Sequence, residues 1–430
     1  MKSIRIRLPS CRWLLAFGAL SLVAPSLPAQ QVAVPFYGPE VFVAALQAHG
    51  QAPRAAQFAS SAQALVDAIE TLCTAPGEAM PAAASDADAR PGESLLAARD
   101  AWLAAADAWE RLEAISVGPT LERRSARAVD FRPTRPPLIK RAIGAQGKAK
   151  RPPDAKALER VGTPAKGLPA LEWLLWDRSA PQSAAACRYA TGLAQDVQRE
   201  ADELAAAHAA DAARWQERGG EEDRGQQVGE AAAARAAEAV NQWLAGLEVL
   251  RWRQLGKPLA VVAGKSGSPM DANRDIWPRP PSASHREAWQ ARWESLRKVA
   301  IGPAPTDGFG PQPAVAPTVI SLEALLRGRG RNDDADAWAK TVMTADQAMQ
   351  ALTEARDPDT RVVGQGASAG PQQSARVTAG KVADHEPVPL PPTTTIDSAV
   401  KALDAVKQFM QEKVAPALKV ALGFSDADGD

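Results

Sequence analysis

The chain has 430 residues, 50 Lys and Arg against 50 Asp and Glu, four His and three Cys, and 46% of it is hydrophobic. That length buries two domain-sized cores or one large pseudo-symmetric one. A balanced charge excludes the basic surplus by which proteins grip nucleic acid, so no nucleic-acid partner is expected.

The N-terminus reads as an export signal. Lys2, Arg5, Arg7 and Arg12 precede the apolar run 13–24, and Leu27-Pro28-Ala29 offers a small residue before a cut, so residues 1–29 are the expected signal peptide and Gln30 the expected mature start. Its removal takes four basic residues and no acid, turning 50 against 50 into 46 against 50. The apolar run is too short to span a bilayer comfortably, and no later stretch replaces it, so no transmembrane segment is expected after signal removal. Cys11 lies before the apolar run and not at the cut, so the expectation is a free periplasmic or envelope protein, not a lipoprotein.

The rest reads as helix. Alanine dominates, β-branched residues are sparse, and no long stretch alternates apolar and polar. Leu95, Trp102 and Trp109 recur every seven residues, with Ala98, Ala105 and Leu112 on the same face, and Gly118-Pro119 ends the helix. A second stripe runs through Leu193, Val197, Ala201, Leu204, His208 and Trp215, and a third through Val228, Ala232, Ala236, Val240, Trp243, Leu247 and Leu250. Further helices are expected near 54–74, 284–300, 333–355 and 396–421. Between them, linkers near 78–91, 145–156, 216–227, 302–317 and 356–393 are rich in Gly, Pro, Ala, Ser or charge and poor in large apolar residues, which predicts disorder.

Two motif matches carry little. Gly366-Ala367-Ser368-Ala369-Gly370 fits the serine-hydrolase G-x-S-x-G pattern but lies in a low-complexity linker with no strand before it. The run 264–268 lacks the spacing and the following helix of a phosphate loop. An internal echo says more: "DFRPTRPPLIKRAI" from Asp130 and "DIWPRPPSASHREAW" from Asp275 each carry an Asp, an aromatic, a Pro and Arg-Pro-Pro ahead of a helix, either by coincidence or as the elbows of two related bundles.

The stretch "AKGLPALEWLLW", residues 165–176, sets one carboxylate, Glu172, among large apolar residues. Burying that charge is costly unless it is paired or used, so Glu172 faces either solvent or a functional cavity. After signal removal Cys73 and Cys187 remain, and they form one disulfide or stay as two buried thiols.

"AWLAAADAWERLEAISVGP", "FRPTRPPLIKRAI", "KGLPALEWLLW" and the terminal "VALGFSDADGD", in that order from about residue 100 to the end, resemble successive landmarks of the imelysin family, in its branch of predicted periplasmic proteins. The resemblance implies an all-α fold of two pseudo-symmetric four-helix bundles with a cleft between them. On this chain the first bundle would cover about 37–217 and the second about 226–430, within a domain spanning 30–430. It also implies an association with iron-regulated uptake in the envelope and, from the family's name, a metallopeptidase activity. The family signature is G-x-H-x-x-E. Here it reads Gly167-Leu168-Pro169-Ala170-Leu171-Glu172, so Pro169 replaces the histidine and a metal ion, iron or zinc, keeps only Glu172 as a ligand. The landmarks place Trp109, Arg135, and Arg253 or Arg279 around a cleft with Gly167 and Glu172, and predict an arginine partner for Glu172; His285, which follows the Arg279-Pro280-Pro281 elbow, faces the same cleft if the internal echo is a true repeat.

No His-Glu-x-x-His run exists for a common zinc peptidase, and His49, His208, His285 and His385 are scattered. Three functions follow in order of expectation. The first is binding of a small ligand or metal ion in the cleft, alongside other envelope iron-uptake components. The second is a metallopeptidase of the imelysin type, and the third a non-catalytic scaffold for another envelope protein. No catalytic residue is assigned.

Overall fold

A computed structural model describes residues 36–74, 92–177, 179–181, 183–219, 225–264, 276–302, 319–354 and 390–423. The signal segment and Gln30, the segment near 78–91, nearly all of those near 302–317 and 356–393, the G-x-S-x-G run and His385 lie outside them. Everything described falls in one unit beginning at Phe36.

In chain order, α1 (Pro39–Leu46) continues through a π-helical turn (Gln47–Gln51) into α2 (Ala52–Thr74), and α3 (Glu93–Glu113) follows. Short helices α4 (Pro119–Glu122), α5 (Ser125–Val129), α6 (Pro136–Ala145) and α7 (Ala155–Glu159) lead to α8 (Gly167–Trp176) and the long α9 (Ala184–Gly219). Helix α10 (Gly225–Glu248) passes through a second π-turn (Val249–Gly256) into α11 (Lys257–Gly264). Then come α12 (His285–Ile301), α13 (Leu322–Gly328), α14 (Asn332–Glu354) and α15 (Thr393–Phe409), with a third π-turn (Met410–Val414) before α16 (Ala415–Leu418). No strand occurs among the described residues, as the 3.6-residue periodicity predicts.

The apolar stripes make two cores. Phe58, Leu65, Trp102, Trp109, Leu171 and Leu193 belong to the first, drawn from α2, α3, α8 and α9. Trp243, Leu247, Trp289, Trp338, Leu403 and Met410 belong to the second, drawn from α10, α12, α14, α15 and the turn after it. Every residue of the Leu95 to Leu112 face is buried, and tryptophan indoles tie stripes to neighbouring backbone: Trp243 Nε1 donates to Leu296 O at 2.8 Å and Trp338 Nε1 to Ala300 O at 2.9 Å.

Phe42, Val43 and Leu46 of α1 join the second core, although the sequence division places them in the first bundle. The helix that starts there enters the first core after the π-turn, where Gln51 Nε2 donates to Ile115 O at 2.7 Å. Trp215, late in α9, likewise packs in the second core, so continuous helices run from one core to the other. Residues 145–156 are ordered, against the expectation of a linker. Turn chemistry does there what apolar content does elsewhere: Arg188 Nη2 donates to Gln146 O, Asp154 caps α7 through Ala157 N, and Leu158 enters the core. Cys73, at the end of α2, and Cys187, near the start of α9, form a disulfide with Cα atoms 5.5 Å apart.

Candidate functional site

Helix α8 is apolar all round and buried along nearly its whole length, as such a helix must be. Gly167 opens it at φ +71°, and a Cβ there would stand 2.3 Å from Val129 O, so only glycine lets the end of α5 approach this closely. Trp102 Nε1 donates to Leu168 O at 2.9 Å, and Arg99 Nε donates to Leu175 O at 2.9 Å while stacking on Trp176. Pro169 sits in the first turn, where a missing N–H costs nothing.

Glu172, one turn further, is 1% exposed. Its Oε1 accepts hydrogen bonds from Ser282 Oγ at 2.6 Å and Ser282 N at 3.2 Å, and Arg132 Nη2 lies 3.8 Å from Oε2. Burial pushes its carboxyl above the usual range, against the opposing pull of Arg132, Arg279 and Ser282. The arginine partner expected from the sequence is therefore present, but it is Arg132. Arg135, three residues on, points an exposed side chain outward and lends its backbone to the start of α6.

The two elbows of the internal echo meet. Arg279, fully buried in the second, sends Nη1 and Nη2 to the two carboxylate oxygens of Asp130 in the first, each at 3.0 Å, and Nη2 also reaches Glu110 Oε1 at 2.8 Å. Its guanidinium lies over the Trp102 ring, 5.5 Å from the centroid. Arg292 of α12 binds the other Glu110 oxygen through Nε at 3.1 Å and Nη2 at 2.9 Å, and also contacts Glu113. Burial works against the charge of Asp130, but Arg132 and Arg279 outweigh it and hold its carboxyl below the ordinary range. Burial dominates at Glu113 and raises it. His285 is buried between Trp277 and Trp289, and its Nδ1 accepts from Arg279 N at 3.3 Å. It thus orients the elbow.

Beside this network lies a cavity of about 960 Å³ with walls from both cores. Trp109, Phe131, Trp173 and Trp277 give it aromatic faces, and Pro133, Pro136, Pro278 and Pro280 line the elbow side. Arg253 and Lys257 line it from the second π-turn and α11. Of the residues expected around a cleft, Trp109 and Arg253 line the cavity. Arg279, His285 and Glu172 are not among its lining residues, and Gly167 opens the helix that carries Glu172.

Glu110, Glu113, Arg132, Ser282 and Arg292 are not among the site residues that the sequence predicts. A signal existed for Arg292: it follows Trp289 by three and precedes Leu296 by four, which puts a charge on a buried stripe. No such spacing marks Ser282, which reaches Glu172 across 110 residues of chain.

The family metal site does not fit this chain. Pro169 offers no nitrogen ligand, Glu172 is engaged by Ser282 and faced by Arg132, and among the described residues no group of three or more His, Cys, Asp or Glu could hold a metal ion.

Fold and site together define an all-helical protein with two cores and a charged, aromatic cleft where its elbows meet. The Imelysin family model matches residues 51–385, and the chain belongs to that family. Among solved structures it is similar to an imelysin-like protein from Psychrobacter arcticum, with 16% identity, a TM-score of 0.61 and coverage of 91% of this chain and 100% of that one. It is also similar to a protein from Parabacteroides distasonis described as an iron-regulated protein A precursor, with 14% identity, a TM-score of 0.57 and coverage of 91% and 97%. No curated protein matches it. No described helix is long and apolar enough to cross a membrane.

Proposed function

We propose that this chain is an exported envelope protein that binds a small ligand in the cavity between its elbows, within an iron-acquisition system, and that it holds no catalytic metal there. The observation that carries this reading is the commitment of the acids in the network beside the cavity. Glu110 and Asp130 are bound by arginine and Glu172 by Ser282 with Arg132 beside it, so none is left as a cation ligand or a general base. The large cavity beside them, with aromatic walls, has the size and character of a small-molecule site. The iron context is supported by the family and by the description of the Parabacteroides structure. Export is supported by the charged and apolar pattern of residues 1–29.

The test is an inventory of metals and small molecules in the protein purified from the periplasm of its native host. A retained small molecule without stoichiometric metal supports the reading. One tightly held metal per chain, lost in Glu172→Gln, overturns it and restores the metallopeptidase.

A further inference from the structure

In and behind the cavity wall, four carboxylates (Glu110, Glu113, Asp130 and Glu172) face three guanidiniums (Arg132, Arg279 and Arg292), and these groups are engaged with one another or with Ser282. Three other cations line the cavity: Arg127 from α5, and Arg253 and Lys257 one turn apart. Their side chains are exposed and none makes an ion pair with a described residue. Of the lining acids only Asp177 stands outside the inner network, and it accepts from Ser179 N at 2.7 Å.

We infer that the cavity takes an organic polycarboxylate, its carboxylates met by Arg127, Arg253 and Lys257 and its carbon body laid against Trp109, Trp173 and Trp277. This rests on the ligand-binding reading above. Uncommitted arginine and lysine recognise oxyanions in general, and two features select spaced carboxylates over a phosphate. A phosphate is best cradled by converging backbone N–H groups, at a helix N-terminus or in a glycine-rich loop. Here the start of α6 lines the cavity with Pro136 and the facing elbow supplies Pro278, Pro280 and Pro281, none of which has an N–H to give. The cations come instead from two elements, Arg127 from α5 and the pair Arg253 and Lys257 from the helix that continues into α11, around a cavity of about 960 Å³, which suits charges distributed over a carbon skeleton. Such an acid could arrive free or wrapped around a metal ion as an anionic chelate.

Calorimetry and tryptophan fluorescence on the intact mature protein test this with citrate, ferric citrate, inorganic phosphate and glucose. Citrate or ferric citrate should bind at one site per chain and weaken as salt is raised. The exposed pair Arg253→Ala with Lys257→Ala should lose at least about tenfold in affinity, as expected for charged hydrogen bonds, with most of it regained when Arg253 is replaced by Lys instead. Binding of citrate alone supports the free acid, and binding of ferric citrate only supports the chelate. The inference is overturned if neither binds, if phosphate binds as tightly, or if the double variant binds unchanged. A neutral or cationic molecule found in the cavity overturns the polycarboxylate and leaves the ligand-binding reading standing. No retained molecule together with no bound probe overturns both.

Discussion

Glu172 answers a question that its neighbours raise: a lone acid on an apolar helix is kept by a serine from 110 residues away and by an arginine. Its linkage has a definite sign. Burial raises its folded pKa above the unfolded value, so the folded state binds the proton more tightly. Its contribution is most favourable below the ordinary glutamate range and is lost as pH rises toward the raised value. Glu172→Gln keeps an acceptor for Ser282, so its melting temperature at neutral pH should equal or exceed the wild type, and calorimetric scans across pH would show this. His208 behaves in the opposite sense. It is fully buried, 2.8 Å from Thr120 Oγ1, and burial, aided by Arg235, pushes it down to about 4 from 6.5. Its neutral form stabilises the fold above its ordinary pKa, and about 3 kcal/mol is lost as pH falls through 6.5 toward 4. In His208→Gln, denaturant melts should show that slope flattened, whatever the change in absolute stability. Gly167→Ala would put a methyl into Val129 O, and a loss of at least about 2 kcal/mol in the same melts is expected.

Among elements, the meeting of the two elbows ties α3, α5 and α12 through Arg279 and Arg292. Truncating Arg279 leaves Asp130 and Glu110 short of their buried partner. Arg279→Ala should cost about 3–5 kcal/mol, and a double-mutant cycle with Asp130→Asn should recover part of it. The disulfide joins α2 to α9 across 114 residues, and its reduction should lower stability by about 2–5 kcal/mol, measured as the melting shift between the native chain and the Cys73→Ser, Cys187→Ser pair. The long helices were legible in the chain because each carries a single stripe at helical spacing. Helices α4 to α7 were harder to read, being four to ten residues long and too brief for a period to show. The two echoing stretches read alike, but their arginines are used differently: Arg279 is buried and doubly paired, whereas Arg135, at the matching place, is exposed. Similar residues in the two stretches do not fix which arginine goes inside; Glu110 of α3 and Asp130 after α5 do, by pairing with Arg279.

At the scale of the molecule, the all-helical fold and its family followed from stripes and landmarks, both of which are local in sequence. The cleft did not, because its bonds join residues 110 to 182 positions apart, and no pattern within one segment records such pairings. One consequence of the inner network reaches beyond binding. A guanidinium is a cation fastened to the chain. It cannot be diluted away, stripped by a chelator or displaced by a competing ion, and it remains charged across the physiological range. In Arg279 the protein carries its own positive centre at the meeting point of Glu110 and Asp130, so the charge balance of that point needs no bound metal ion. Exhaustive chelation should therefore leave the melting temperature where it was.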